Sequence, residues 1–145
     1  HMIREMIDYY QIPVSRIQGI KEGADFMAPD GSVIRNELLT IPGNPSRSYA
    51  YCSDTAYAPE IIPYIKGADL LYHEATFAES ERARAVETFH STARQAAEIA
   101  KAAEAKQLVI GHYSSRYNEL GILLKEAVEV FQNTELAIEG KVFNL

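Results

Sequence analysis

From residue 47 onward, short apolar runs alternate with longer stretches whose apolar residues recur every three or four positions. Residues 48–53, with Tyr49, Ala50, Tyr51 and Cys52, read as a strand. Pro59 suits a first helical position, and Ile61, Ile62 and Ile65 follow before Gly67 stops the helix. Residues 69–73 carry Leu70, Leu71 and Tyr72, a short buried strand, and a charged helix is expected over about 78–88. Ser91 is placed to cap the next helix, whose Ala93, Ala96, Ala97, Ala100 and Ala103 share one face. Leu108, Val109 and Ile110 form another buried strand, and Leu120, Leu123, Leu124, Ala127, Val128 and Phe131 follow helical spacing. Residues 135–138 and 141–143 are expected to be closing strands around Gly140.

Strands alternating with helices of this length predict an α/β arrangement. Each helix has one apolar face, so the helices cover one side of a sheet, which is half of a layered sandwich. Residues 1–46 have a different texture. A short helical stretch runs up to Tyr10, then come Ile12-Pro13, turns at Gly23 and Asp30-Gly31, and a loop at Pro42-Gly43-Asn44-Pro45. Proline and glycine at this density predict loops and short strands, so 1–46 is read as an irregular arm and 47–145 as the packed domain.

Composition narrows the class. A chain of 145 residues, 47% hydrophobic and 23% charged, is long enough to bury a core and too apolar to be disordered. No run approaches a membrane span, and no signal peptide is visible. His1-Met2 reads as a cloning scar. The single cysteine, Cys52, cannot form an internal disulfide, which suits a cytoplasmic location. The net charge of −6 argues against nonspecific attraction to nucleic acid and leaves room for a local basic site.

Polar residues that carry chemistry gather just after the buried strands and at a helix start. Asp54 leaves the first strand within Ser53-Asp54-Thr55; it either caps a turn or meets a metal. In His73-Glu74-Ala75-Thr76-Phe77, the adjacent histidine and glutamate point to opposite faces, so each needs its own partner. His73 reads as a buried histidine satisfied by backbone. His90-Ser91-Thr92 places an imidazole before a helix N-terminus, suited to an anion or simply to the surface. In Gly111-His112-Tyr113-Ser114-Ser115-Arg116-Tyr117, His112 is either a metal ligand or a core histidine. Arg116 is a forked cation for phosphate or a solvated loop charge.

Taken in series, Ser-Asp-Thr, His-Glu-Ala-Thr-Phe, His-Ser-Thr and Gly-His-Tyr-Ser-Ser-Arg-Tyr resemble the C-terminal motifs of ribonuclease Z, a zinc-dependent endoribonuclease of the metallo-β-lactamase superfamily. The resemblance runs from about Ile12 to the end and is strongest from Tyr49 to Tyr117. It implies the C-terminal half of an αββα sandwich, with a mixed sheet covered by helices. It implies precursor tRNA as substrate, cleaved on the 3′ side, and two zinc ions per full-length subunit. A half-sandwich exposes a sheet face and edge, so a homodimer is expected. Asp54 then matches the aspartate that bridges the zincs, and His112 the last histidine ligand. His90 resembles the histidine that passes a proton to the leaving group or steadies the scissile phosphate. Glu74 resembles the carboxylate that orients it, and Arg116 a phosphate contact.

The chain departs from the family in three places. The His-x-His-x-Asp-His motif and a further histidine are absent, leaving Asp54 and His112 of the expected ligands. Since zinc needs three or four ligands, this chain alone is expected to bind it weakly and not to cleave RNA. Ser53 stands where glycine is usual, and Ile12-Pro13-Val14-Ser15-Arg16 lacks the Gly-Pro pair of a tRNA-gripping arm. Two other classes remain open: a related phosphodiesterase or arylsulfatase-like hydrolase, and a non-catalytic dimerisation or tRNA-binding module.

Overall fold

The computed structural model describes residues 1–145, which form two units, His1–Ser46 and Arg47–Leu145. The first unit holds helices α1 (Arg4–Tyr9) and α2 (Val14–Lys21), a hairpin of β1 (Phe26–Met27) and β2 (Val33–Ile34), and a short helix α3 (Asn36–Leu39). Ile12, Ile20, Phe26, Ile34 and Leu39 form its buried cluster. The Asn36 amide donates to the carbonyls of Ile20 and Ala24, fastening α3 to the end of α2. The short elements and turns expected of residues 1–46 are present, and they enclose a small core that the sequence did not reveal. The five core residues come from five different segments, so no window of sequence shows them as a face.

The second unit is built on a four-stranded sheet in the order β3 (Tyr49–Cys52), β4 (Leu70–Glu74), β5 (Leu108–Gly111), β6 (Thr134–Leu136). All three pairings are parallel; antiparallel pairing, the other component of a mixed sheet, is confined to β1 and β2. Parallel neighbours require crossovers, and helices supply them. A helical turn at Pro59–Ile61 leads into α4 (Ile62–Ile65) between β3 and β4. A turn at Glu79–Glu81, α5 (Arg82–Glu87) and α6 (Ala93–Ala102) lie between β4 and β5, and α7 (Gly121–Val130) between β5 and β6.

Strand alternation sorts the side chains onto two faces. Leu71, Leu108 and Ile110 pack against Ala96, Ile99, Ala100, Leu123 and Ala127 of α6 and α7. The small alanines let the helices approach the sheet closely. On the other face, Tyr51 stacks on Tyr72 with ring centroids 4.7 Å apart. Tyr49 and Tyr51 are 53% and 64% exposed there. Phe143 and Leu145 from the C-terminal tail border a cavity of about 320 Å³ with Leu70, Tyr72 and Val109. Residues 141–143 do not form the expected closing strand. Gly111 is required for close approach: a Cβ there would lie 2.7 Å from Cε2 of Tyr72.

His73 is fully buried on the helix-covered face. Its Nδ1 lies 2.7 Å from the Glu74 carbonyl, which can only accept, so Nδ1 donates. Its Nε2 has no partner, a departure from the fully satisfied histidine expected. Burial lowers its pKa, and the hydrogen bond to the Glu74 carbonyl opposes that shift. The folded state refuses a proton that the unfolded chain accepts below the ordinary histidine range, so stability falls as pH drops from about 6.5. Denaturant unfolding between pH 7.5 and 5.5 should show stability falling as the pH drops, with this group contributing part of the slope. His73→Leu should remove that component. An identical slope in wild type and variant would contradict the assignment.

Candidate metal centre

β4 ends in Glu74, and the strands on either side of it, β3 and β5, end just before Asp54 and His112. Two strands separated by a third lie about 10 Å apart. Left-handed backbone closes that gap: Asp54 has φ 54° and His112 φ 57°. Their side chains meet over the end of β4, with His112 Nε2 3.6 Å from Asp54 Oδ1. Non-glycine residues in this region carry strain and gather at functional sites. Ser53, where glycine is usual in the family it resembles, is not left-handed; the strained residue is Asp54 itself.

His90 arrives from a helix end. The Phe89 N–H donates to the Val86 carbonyl and the His90 N–H to the Ala85 carbonyl, and Phe89 has φ 58°. That is a Schellman closure of α5 with phenylalanine in the position glycine usually fills. Thr92, rather than the expected Ser91, caps α6: its hydroxyl accepts from Gln95 N–H while the Gln95 side chain accepts from Thr92 N–H. The reciprocal box needs a glutamine or glutamate three residues on, which Thr92 has and Ser91 lacks. Freed from capping, the Ser91 hydroxyl donates to the Thr55 carbonyl at 2.8 Å and ties this corner to the loop after β3.

The hub of the site is Glu74, fully buried. Oε1 accepts from Thr55 N–H at 3.0 Å and faces His90 Nδ1 at 2.8 Å. Oε2 accepts from Thr76 N–H at 3.1 Å and from the Thr76 hydroxyl at 2.7 Å. A carboxylate takes about four such bonds, so its acceptor capacity is filled. Asp54 Oδ1 is also 3.7 Å from His90 Nδ1, but the shorter contact commits that nitrogen's proton to Glu74. Asp54, His90 and His112 each bring a ligand atom within 4.8 Å of the others.

Carboxylate and imidazole are donor types that zinc accepts. With His90 Nδ1 occupied, the uncommitted pair is Asp54 and His112 Nε2. The donors fit a zinc site in type and supply part of its shell. Arg116 is not drawn into this cluster; its ion pair is with Glu81 at 3.7 Å. Thr76 also belongs to the site, a role the His-Glu-Ala-Thr-Phe motif does not announce. Its signal is parity: two residues past Glu74 along an extended chain, it faces the same way.

A site of metal-ligating type at the strand ends of a helix-covered sheet defines a class. Residues 38–113 match the family described as the beta-lactamase superfamily domain, and the chain belongs to that superfamily. Within it, the chain is similar along its length to ribonuclease Z of Parabacteroides distasonis, 62% identical over 140 residues covering 97% of this chain and 46% of the relative. Ribonuclease Z of Bacteroides thetaiotaomicron is 58% identical over 97% of this chain and 44% of its own length. The chain thus spans about half the length of these curated relatives. Among solved structures, the metallo-beta-lactamase fold protein YhfI from Bacillus subtilis aligns with a TM-score of 0.63 at 30% identity, covering 68% of this chain and 40% of that one. A long form RNase Z from yeast aligns at 0.50 and 25% identity, covering 63% and 12%.

The Phe89 closure has a consequence for stability. The ring is 75% exposed, so its removal forfeits little burial, while glycine relieves the left-handed strain. Phe89→Gly is expected to stabilise the fold by about 1 kcal/mol, read as a raised thermal midpoint. A lowered midpoint would show that the ring is held by contacts that outweigh the strain.

Proposed function

We propose that the chain is the C-terminal part of a zinc-dependent endoribonuclease of ribonuclease Z type, acting on precursor tRNA at its 3′ side by phosphodiester hydrolysis. The observation that carries this reading is the convergence of Asp54, His112 and His90 over Glu74, in a chain 62% identical to a ribonuclease Z. Asp54 and His112 hold metal, together with ligands that this chain does not itself provide. Zinc, when bound, supplies a Lewis acid that offsets charge developing on the phosphoryl oxygens and makes water acidic enough to attack near neutral pH.

The chain's own residues do the rest. Glu74 accepts the Nδ1 proton of His90, which fixes the ring and leaves Nε2 to exchange a proton with the leaving oxygen. Arg116 offers a forked cation to a substrate phosphate once it lets go of Glu81, a surface pair of the kind worth little. The net charge of −6 gives no general pull on RNA, so recognition rests on this local site. No helix is long and apolar enough to cross a membrane. We place the protein in the cytoplasm and in a homodimer. A related hydrolase of the superfamily would share Asp54 and His112, but the ribonuclease Z identity favours the nuclease.

With only part of a metal shell, the isolated chain should not cleave RNA. In the protein spanning the full length of its relatives, Asp54→Ala and His90→Ala should each slow cleavage of precursor tRNA by about 100-fold or more. Lys125→Ala, on the outer side of α7, should leave the rate unchanged, and the same preparation should sediment as a dimer. Wild-type rates in the first two variants would refute the assigned roles, and a monomer would refute the assembly.

A further inference from the structure

Thr76 Oγ1 stands between the two halves of the site. It lies 2.7 Å from Glu74 Oε2, 2.9 Å from His112 Nδ1 and 3.0 Å from the His112 carbonyl. A hydroxyl has one proton and two lone pairs, and Thr76 is buried, so water cannot make up the difference. The contact with the carboxylate is the shortest and is charge-assisted, so the proton goes to Glu74. Were it directed to His112 instead, two acceptor oxygens would face each other at 2.7 Å with no proton between them; given to Glu74, it leaves only the longer 3.0 Å contact with the His112 carbonyl without one. His112 Nδ1 therefore donates to Thr76. The neutral ring then keeps its lone pair on Nε2, the atom that faces Asp54 at 3.6 Å. In water a histidine side chain favours the opposite tautomer, so this hydrogen bond has a preference to overcome.

We propose that Thr76 is a positioning residue: its hydroxyl locks His112 in the Nδ1–H tautomer, presenting Nε2 to a cation, while holding the carboxylate that carries His90. The use of Nε2 rests on the metal-centre reading; the tautomer does not. One side chain thus couples the metal ligand to the proton-transferring histidine. The Thr76 N–H and carbonyl reinforce it, donating to Glu74 and accepting from Ser114 N–H at 3.1 Å. The hydroxyl consequently has little freedom to turn away.

The test is a long-range ¹H–¹⁵N correlation spectrum of the 145-residue chain at about pH 8, where an ordinary histidine is neutral. Wild type and Thr76→Ser should show His112 as Nδ1–H, and the isosteric Thr76→Val should shift it to Nε2–H. An Nε2–H ring in wild type overturns the proposal, even if Thr76→Val does not fold, and so does a folded Thr76→Val that retains Nδ1–H. Zinc titrated into the protein spanning the full length of its relatives, as wild type and as the same two variants, separates the two claims. Zinc should move the His112 signals, with an affinity roughly 10- to 100-fold weaker in Thr76→Val and restored in Thr76→Ser. An Nδ1–H ring that zinc leaves unmoved overturns the metal reading and keeps the tautomer lock.

Discussion

Glu74 carries a carboxylate into a place without water, where a charge costs several kcal/mol unless hydrogen bonds replace the lost solvent. The replacements come from three directions: Thr55 from the loop after β3, Thr76 from the loop after β4, and His90 from the end of α5. Satisfying one buried acid therefore fixes the relative positions of three segments far apart in sequence. His112 joins them through Thr76. The left-handed turns at Asp54 and His112 are tolerated because this network determines where the chain must go next.

The helical and strand periods were legible because the second unit builds its core from local patterns. The alanine face of α6 and the apolar runs of β4 and β5 lie where their spacing places them. In the first unit the boundary at residue 46, the helix up to Tyr10 and the turn at Asp30-Gly31 were legible, but its core was not, since its buried residues are contributed one at a time by segments that meet only in three dimensions. At the helix start, Ser91 and Thr92 both look like caps; the glutamine at 95 is the discriminating sign, and it was there to be read. The polar residues at the strand ends were visible as candidates, and the fold brings Asp54, Glu74, His90 and His112 together. Arg116 lies outside their hydrogen-bond network. The tautomer logic of Thr76 was beyond sequence reading because it depends on a loop 36 residues away folding back over it.

Division of labour between the sheet's surfaces explains why this site sits at the strand ends. One face is closed by α6 and α7, the other presents tyrosines and the C-terminal tail, and only the strand ends are free to project polar groups. A parallel sheet puts successive strand ends on the same side, so residues after β3, β4 and β5 converge without long loops. The same topology sets a demand on packing just behind the site. Gly111 must lack a side chain for Tyr72 to pass, and His73 must stay neutral among the helices.

The claim beneath all of this is that Glu74 acts as a charged acceptor on both oxygens. Glu74→Gln tests it with almost no change of shape. Each oxygen accepts from one backbone N–H, Thr55 on one side and Thr76 on the other, so the amide must point its NH₂ at a donor whichever way it turns. Unfolding in denaturant should show a loss of about 2–4 kcal/mol in the variant. A stability within about 0.5 kcal/mol of wild type, the range of an ordinary surface substitution, would contradict the account.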